Sequence, residues 1–191
     1  MSDLDFRIRS ALEPTLALED PRARLSAYHD MPYALFRYEA GEEFALRKQV
    51  RLLETRLTQG GKRVSRISLA ECLDEALRSQ RTPAEWFDAE REQGSATVVE
   101  TVHAVLSEYT PLVDLVAARM PDDPDPRRDI VFILRTGALF PMYRTFSLLE
   151  QLKGRVHVPT ILFYPGSLDG AAGLRFMGVL DAEHNYRPKI F

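Results

Sequence analysis

The chain has 191 residues, 45% of them hydrophobic and 28% charged, enough to build one globular domain with a sizeable core. A formal net charge of −3, with Lys+Arg 25 against Asp+Glu 28, argues against a protein whose main work is gripping a nucleic-acid backbone. The single cysteine, Cys72, excludes an internal disulfide framework, the N-terminus MSDLDFRIRS lacks the apolar region of a secretory signal, and no run is long enough to span a bilayer. A cytoplasmic location and no membrane contact are expected.

Residues 2–19 carry apolar positions at helical spacing (Leu4, Ile8, Leu12, Leu16), with Ser2 and Asp5 placed as a capping box. Asp20-Pro21 supplies an N-cap and first-position pair for a short helix through Tyr28. Tyr33–Tyr38 reads as the first strand, ended by Gly41. Glu42 to Thr58 follows as an amphipathic helix with Phe44, Leu46, Val50, Leu53 and Leu57 inward, and Gly60-Gly61 stops it. Arg63–Ile67 is a short second strand. Ser68-x-x-Glu71 opens a helix to about Ser79, and Thr82-Pro83-Ala84-Glu85 opens another. A further helix runs from near Ala96 to Tyr109. Pro111 kinks it or starts the next one, which extends to Met120, before a stiff polar loop at 121–126.

The most informative stretch is Asp129 to Gly166. The apolar run Ile130–Leu134 meets a Thr-Gly turn, and Leu139, Met142, Tyr143, Phe146, Leu149 and Leu152 then mark one helix face, with Pro141 in its first turn and Gly154 as its stop. A second apolar run, Thr160–Tyr164, stops at Pro165-Gly166. Short apolar runs bounded by turn signals read as buried parallel strands, so this is a strand–helix–strand unit. In the tail, Leu174–Leu180 and Tyr186–Phe191 read as an antiparallel hairpin at the sheet edge, where Pro188 is tolerated. The whole pattern predicts a single three-layer α/β domain over 1–191, of Rossmann or P-loop-like architecture. Its sheet is mostly parallel, with a helical insertion and a C-terminal antiparallel edge hairpin.

Open α/β folds bind ligands beyond the carboxyl ends of their strands, which directs attention to Glu39, Arg135, Thr136, Gly137 and the Gly166–Gly170 loop. A phosphate-binding G-x-x-x-x-G-K-[ST] loop is absent: the only Gly-Lys pair, Gly61-Lys62, has Arg56 at the upstream glycine position and Arg63 in place of Ser/Thr. Arg135-Thr136-Gly137, at a strand-to-helix turn, offers an anion the N-terminus of a helix; the simpler reading is that Gly137 makes the turn and Arg135 caps the sheet in solvent. Gly166-Ser167-Leu168-Asp169-Gly170 lacks the spacing of a nucleophile elbow, and Asp169-Gly170 reads as a tight turn. His29, His103, His157 and His184 are scattered, so no metal site is predicted. Cys72 reads as a packed small residue, and Arg47, Arg51 and Arg56 as a solvated helix face supported by Glu54.

The series Gly137-Ala138-Leu139-Phe140-Pro141, Leu148-Leu149, Val158-Pro159-x-x-Leu162-Phe163-Tyr164-Pro165-Gly166, Asp169-Gly170, Leu174-x-Phe176 and Asn185-Tyr186-Arg187 resembles the BrxB family, small proteins of BREX bacteriophage-defence systems. The resemblance is strongest over residues 130–191. It implies a component of a multi-protein system that restricts phage replication while a partner methyltransferase marks host DNA. It also implies no enzymatic activity, no cofactor, and an assembly role in contact with a PglZ-type protein. An adaptor or scaffold is therefore the leading expectation. Two others stay open: a degenerate nucleotide or phosphate sensor using Thr136, Gly137 and Arg144, and a DNA-contacting subunit using the arginines of helix 42–58. The candidate ligand- or partner-binding residues are Arg135, Thr136, Gly137, Arg144, Asp169 and Arg187, with none assigned to catalysis or metal. The C-terminal hairpin is the expected partner edge, because unpaired strands invite augmentation.

Overall fold

The computed structural model describes residues 2–25, 32–170, 173–182 and 188–191. Its sheet has the order β1 (Tyr33–Tyr38), β4 (Thr160–Asp169), β3 (Asp129–Leu134), β2 (Arg63–Ser68), with all three pairings parallel. Side chains alternate across a strand, and here both faces are apolar. Ala34, Phe36, Tyr38, Ile130, Phe132, Ile161 and Phe163 point to one core, and Tyr33, Leu35, Ile67, Val131, Ile133, Leu162 and Tyr164 to the other. The first core is closed by α1 (Asp3–Arg7), α2 (Glu13–Leu16), the π-type turn between them (Ile8–Leu12) and α4 (Glu43–Gln59). The second is closed by α5 (Leu69–Gln80), α6 (Pro83–Gln93), α7 (Ser95–Ala104), α8 (Leu112–Ala117) and α9 (Thr145–Leu152). This is the predicted three-layer α/β domain with a mostly parallel sheet.

The helix starts follow the local chemistry. Ser2 Oγ accepts from the Asp5 amide at 3.2 Å and Ser68 Oγ from the Glu71 amide at 3.3 Å, while Thr82 and Glu85 satisfy each other's backbone in both directions. The helix after Asp20-Pro21, α3, spans Arg22–Leu25; Tyr28 and His29 lie outside the described residues.

Four expectations are corrected. Phe44 is not inward but 80% exposed. The buried stripe of α4 is Leu46, Val50, Leu53 and Leu57, and two residues before Leu46 a side chain lies roughly 200° round the helix. The helix expected from Leu139 begins only at Thr145. Thr136–Leu139 forms a single 3₁₀ turn, and Phe140, extended as residues before proline tend to be, separates it from α9. Pro165-Gly166 does not end a strand. β4 runs through it and changes partner there: Pro165 is its last residue paired with β1, and Gly166 is the first paired antiparallel with β5 (Gly173–Phe176).

Among the described residues the tail strands do not pair as a hairpin with each other. β5 lies against the far end of β4, while Ile190 bridges to Leu35 in parallel, with the Leu35 amide donating to Lys189 O at 2.8 Å and the Phe191 amide to Leu35 O at 2.8 Å. The chain end thus covers the open side of β1. Arg7 fixes it there, its Nη2 donating to Phe191 O at 2.8 Å. Tyr186 and Arg187 lie outside the described residues.

Candidate functional site

The carboxyl ends of the parallel strands open into a crevice. The chain leaves β1 toward α4 on one face and leaves β2 and β3 toward α5 and the 3₁₀ turn on the other, and the gap between these departures is the usual ligand position in such folds. The larger hollow, about 410 Å³, is lined by Arg47 and Arg51 of α4, Arg66 and Ser68 of β2, Leu134 and Arg135 at the end of β3, and the acids Glu43 and Glu71. A neighbouring hollow of about 220 Å³ continues it past Tyr38, Gly137, Pro165 and Met177.

Glu43 organises the junction between the two hollows. Its Oε1 receives Arg47 Nε at 2.9 Å and Arg135 Nε at 3.7 Å, and its Oε2 accepts from the Tyr38 hydroxyl. Burial, and then the carboxylate beside it, push the Tyr38 phenol well above the ordinary tyrosine range. Arg66 reaches Glu54 only at 3.6 Å. Arg51 has no carboxylate partner among the described residues. The two non-glycine residues with left-handed backbone among those described, Arg135 (φ 60) and Met177 (φ 55), both border the crevice.

The sequence candidates divide. Arg135 and Gly137 sit in the crevice, where Gly137 leaves room for Met177: a β-carbon there would lie 3.4 Å from Met177 Sδ. Thr136 is fully buried, with its hydroxyl unpaired, and so presents nothing to a dissolved anion. Arg144 is exposed at the start of α9 and lines neither hollow. Asp169 belongs to the β4–β5 hairpin, 3.3 Å from Arg175 across it, and Arg187 lies outside the described residues.

Lys62 has a structural position. It is buried, and its Nζ donates to the carbonyls of Leu18, Glu19 (3.2 Å) and Arg127 (2.6 Å), tying two segments to the start of β2. Burial lowers its pKa. Cys72 is buried in the second core, and burial raises its thiol pKa. Arg56 is less solvated than expected: it makes a two-pronged pair with Glu13 at 2.7 and 2.7 Å, joining α4 to α2. Among the described residues no group of three or more His, Cys, Asp and Glu is arranged to hold a metal, and no helix is long and apolar enough to cross a membrane.

Sequence reading missed Arg66, Ser68 and Glu43 as site residues. The signal for Arg66 is weak, because a polar residue on a short strand reads as solvent-facing. The phase of α4 was the better clue. If Leu46, Val50, Leu53 and Leu57 face the core, Phe44, Lys48, Arg51 and Leu52 must face outward together. They do, with the Arg47 guanidinium 5.1 Å from the Phe44 ring centre.

A family model described as BREX protein BrxB matches residues 65–190, a span that includes Arg66 and Arg135 and leaves α4 outside. The chain belongs to the BrxB family. A BREX protein BrxB from Bacillus cereus (strain H3081.97) is 27% identical over 161 residues, covering 83% of this chain and 82% of that one. No solved structure matches the chain. BrxB membership supports a role in BREX defence, in the company of other BREX proteins.

Proposed function

We propose that this BrxB-family protein is a non-enzymatic assembly subunit of a BREX phage-defence system, an adaptor that docks a PglZ-type protein. The observation that carries the reading is the outer ridge of α4. Phe44 is 80% and Leu52 41% exposed, with Arg47, Lys48 and Arg51 around them. An aromatic side chain under an arginine, flanked by an aliphatic one, has the composition of an interface hot spot. A well-packed domain that leaves such residues uncovered favours a partner over solvent. The ridge replaces the C-terminal hairpin as the expected docking patch, because the chain end is already paired with β1.

The test is co-purification of the tagged protein with the other products of its own operon at several salt concentrations. A stoichiometric complex with the PglZ-type protein is expected. Phe44→Asp combined with Leu52→Asp should weaken it roughly 30-fold or more, the effect of losing one hot spot of about 2 kcal/mol. Elution of the protein alone at every salt, or capture by the double variant as tight as by the wild type, would refute the proposal.

A further inference from the structure

We propose that the larger crevice is a binding site for a phosphate-bearing ligand, held by Arg47, Arg51, Arg66 and Arg135. These four arginines face two carboxylates, Glu43 and Glu71, in a hollow of about 410 Å³, although the chain as a whole carries a net charge of −3. Cations gathered against the overall balance, in a concave site, focus the potential on an incoming anion. The guanidinium fork matches phosphate oxygens two at a time, which a lysine does not.

The internal pairing leaves this capacity unspent. Glu43 Oε1 serves both Arg47 at 2.9 Å and Arg135 at 3.7 Å, Arg66 stands 3.6 Å from Glu54, and Arg51 has no carboxylate partner among the described residues. Pairs at 3.6–3.7 Å are longer than charge-assisted hydrogen bonds, which run to about 2.7–2.9 Å, so an anion between the arginines offers better geometry than they have now.

Two further features of the backbone point the same way. The lining includes Ser68, the N-cap of α5, a 12-residue helix whose positive dipole end therefore opens on the crevice. Arg135 enters from a left-handed backbone (φ 60), a conformation uncommon for a residue with a β-carbon, and held where the surrounding structure enforces it. The lining contains no aromatic ring, so the site recognises phosphate rather than stacking a base. Free nucleotides, inorganic polyphosphates and a nucleic-acid backbone share that chemistry. The site shares Arg47 and Arg51 with the docking ridge, whereas Arg66 on β2 and Arg135 after β3 lie off α4, so variants at those two test the site with the ridge left intact.

The experiment titrates the full chain with inorganic pyrophosphate, ATP, a short DNA duplex and a DNA single strand, by calorimetry at low and raised salt. At least one probe should bind. Arg66→Ala and Arg135→Ala should each weaken it about tenfold to a hundredfold, the range for losing a charged hydrogen bond. Arg78→Ala, which removes an exposed arginine paired with Asp74 on α5, should leave binding unchanged. Saturable binding of pyrophosphate or ATP assigns a free ligand. Binding confined to DNA, and falling steeply with salt, assigns a nucleic-acid backbone. No binding of any probe at low salt, or equal binding by wild type and the Arg66 and Arg135 variants, overturns the proposal. Unchanged melting temperatures of the variants show that lost affinity is not lost folding.

Discussion

Replacing Gly166 by alanine isolates the point where β4 exchanges one neighbour for another. A β-carbon built at Gly166 would lie 2.2 Å from Arg175 O and 2.6 Å from Tyr164 Cε1. The first is a backbone atom of β5, so relief requires moving a strand rather than turning a side chain. The second belongs to a fully buried ring that packs on Phe176 with centroids 5.5 Å apart. Overpacking of this kind typically costs 1–3 kcal/mol, and with backbone on one side Gly166→Ala should reach about 3 kcal/mol. For a chain of this length that is a fall in Tm of roughly 6–12 °C. Urea unfolding should show a lower midpoint and an unchanged slope, measured beside Gly41→Ala as a control. A β-carbon at Gly41 would meet nothing within 4 Å, so that variant should melt with the wild type. If both variants melt within about 1 °C of the wild type, the close approach of β4 and β5 at Gly166 is wrong.

Other consequences follow from buried polar groups. Lys62→Met removes the donor shared by the carbonyls of Leu18, Glu19 and Arg127, and should cost about 2 kcal/mol by urea denaturation without altering the phosphate titration. Equal stability would show that water replaces the ammonium at no cost. Burial raises the phenol pKa of Tyr38, with the neighbouring Glu43 adding to it, and burial also raises that of Tyr143. Since their folded-state values exceed the unfolded one, the protonated phenols contribute stability that is complete below about pH 10 and is lost as pH climbs above it. Alkaline titration should therefore show tyrosinate absorbance from these two residues appearing together with unfolding, and Tyr38→Phe should reduce the loss of stability at high pH. Reversible ionisation of every tyrosine at the ordinary value, in a protein that stays folded, would contradict this.

Much of the architecture was written locally. The runs Ile130–Leu134 and Thr160–Tyr164 are apolar at consecutive positions, and only a strand buried on both faces demands that. Ser68 and Thr82 announce their helices through hydroxyls that reach the amide three residues on, an interaction confined to one turn. Features decided between distant segments were not legible. Pro165-Gly166 has the composition of a turn, yet Pro165 keeps its place beside Tyr38 because β1 runs past it, and Gly166 is needed because β5 presses on it. The tail had the signature of a hairpin strand, and took the open side of β1 because that edge was unpaired and Arg7 was there to hold the last carbonyl. The crevice is the extreme case. Arg47, Arg51, Arg66 and Arg135 come from a helix, an outer strand and a strand end, and nothing in their spacing along the chain brings them together. Periodicity and capping set which segments become helix or strand, since those are interactions among near neighbours. Which strand ends meet, and which charges then share one hollow, is fixed only when the parallel order β1-β4-β3-β2 closes.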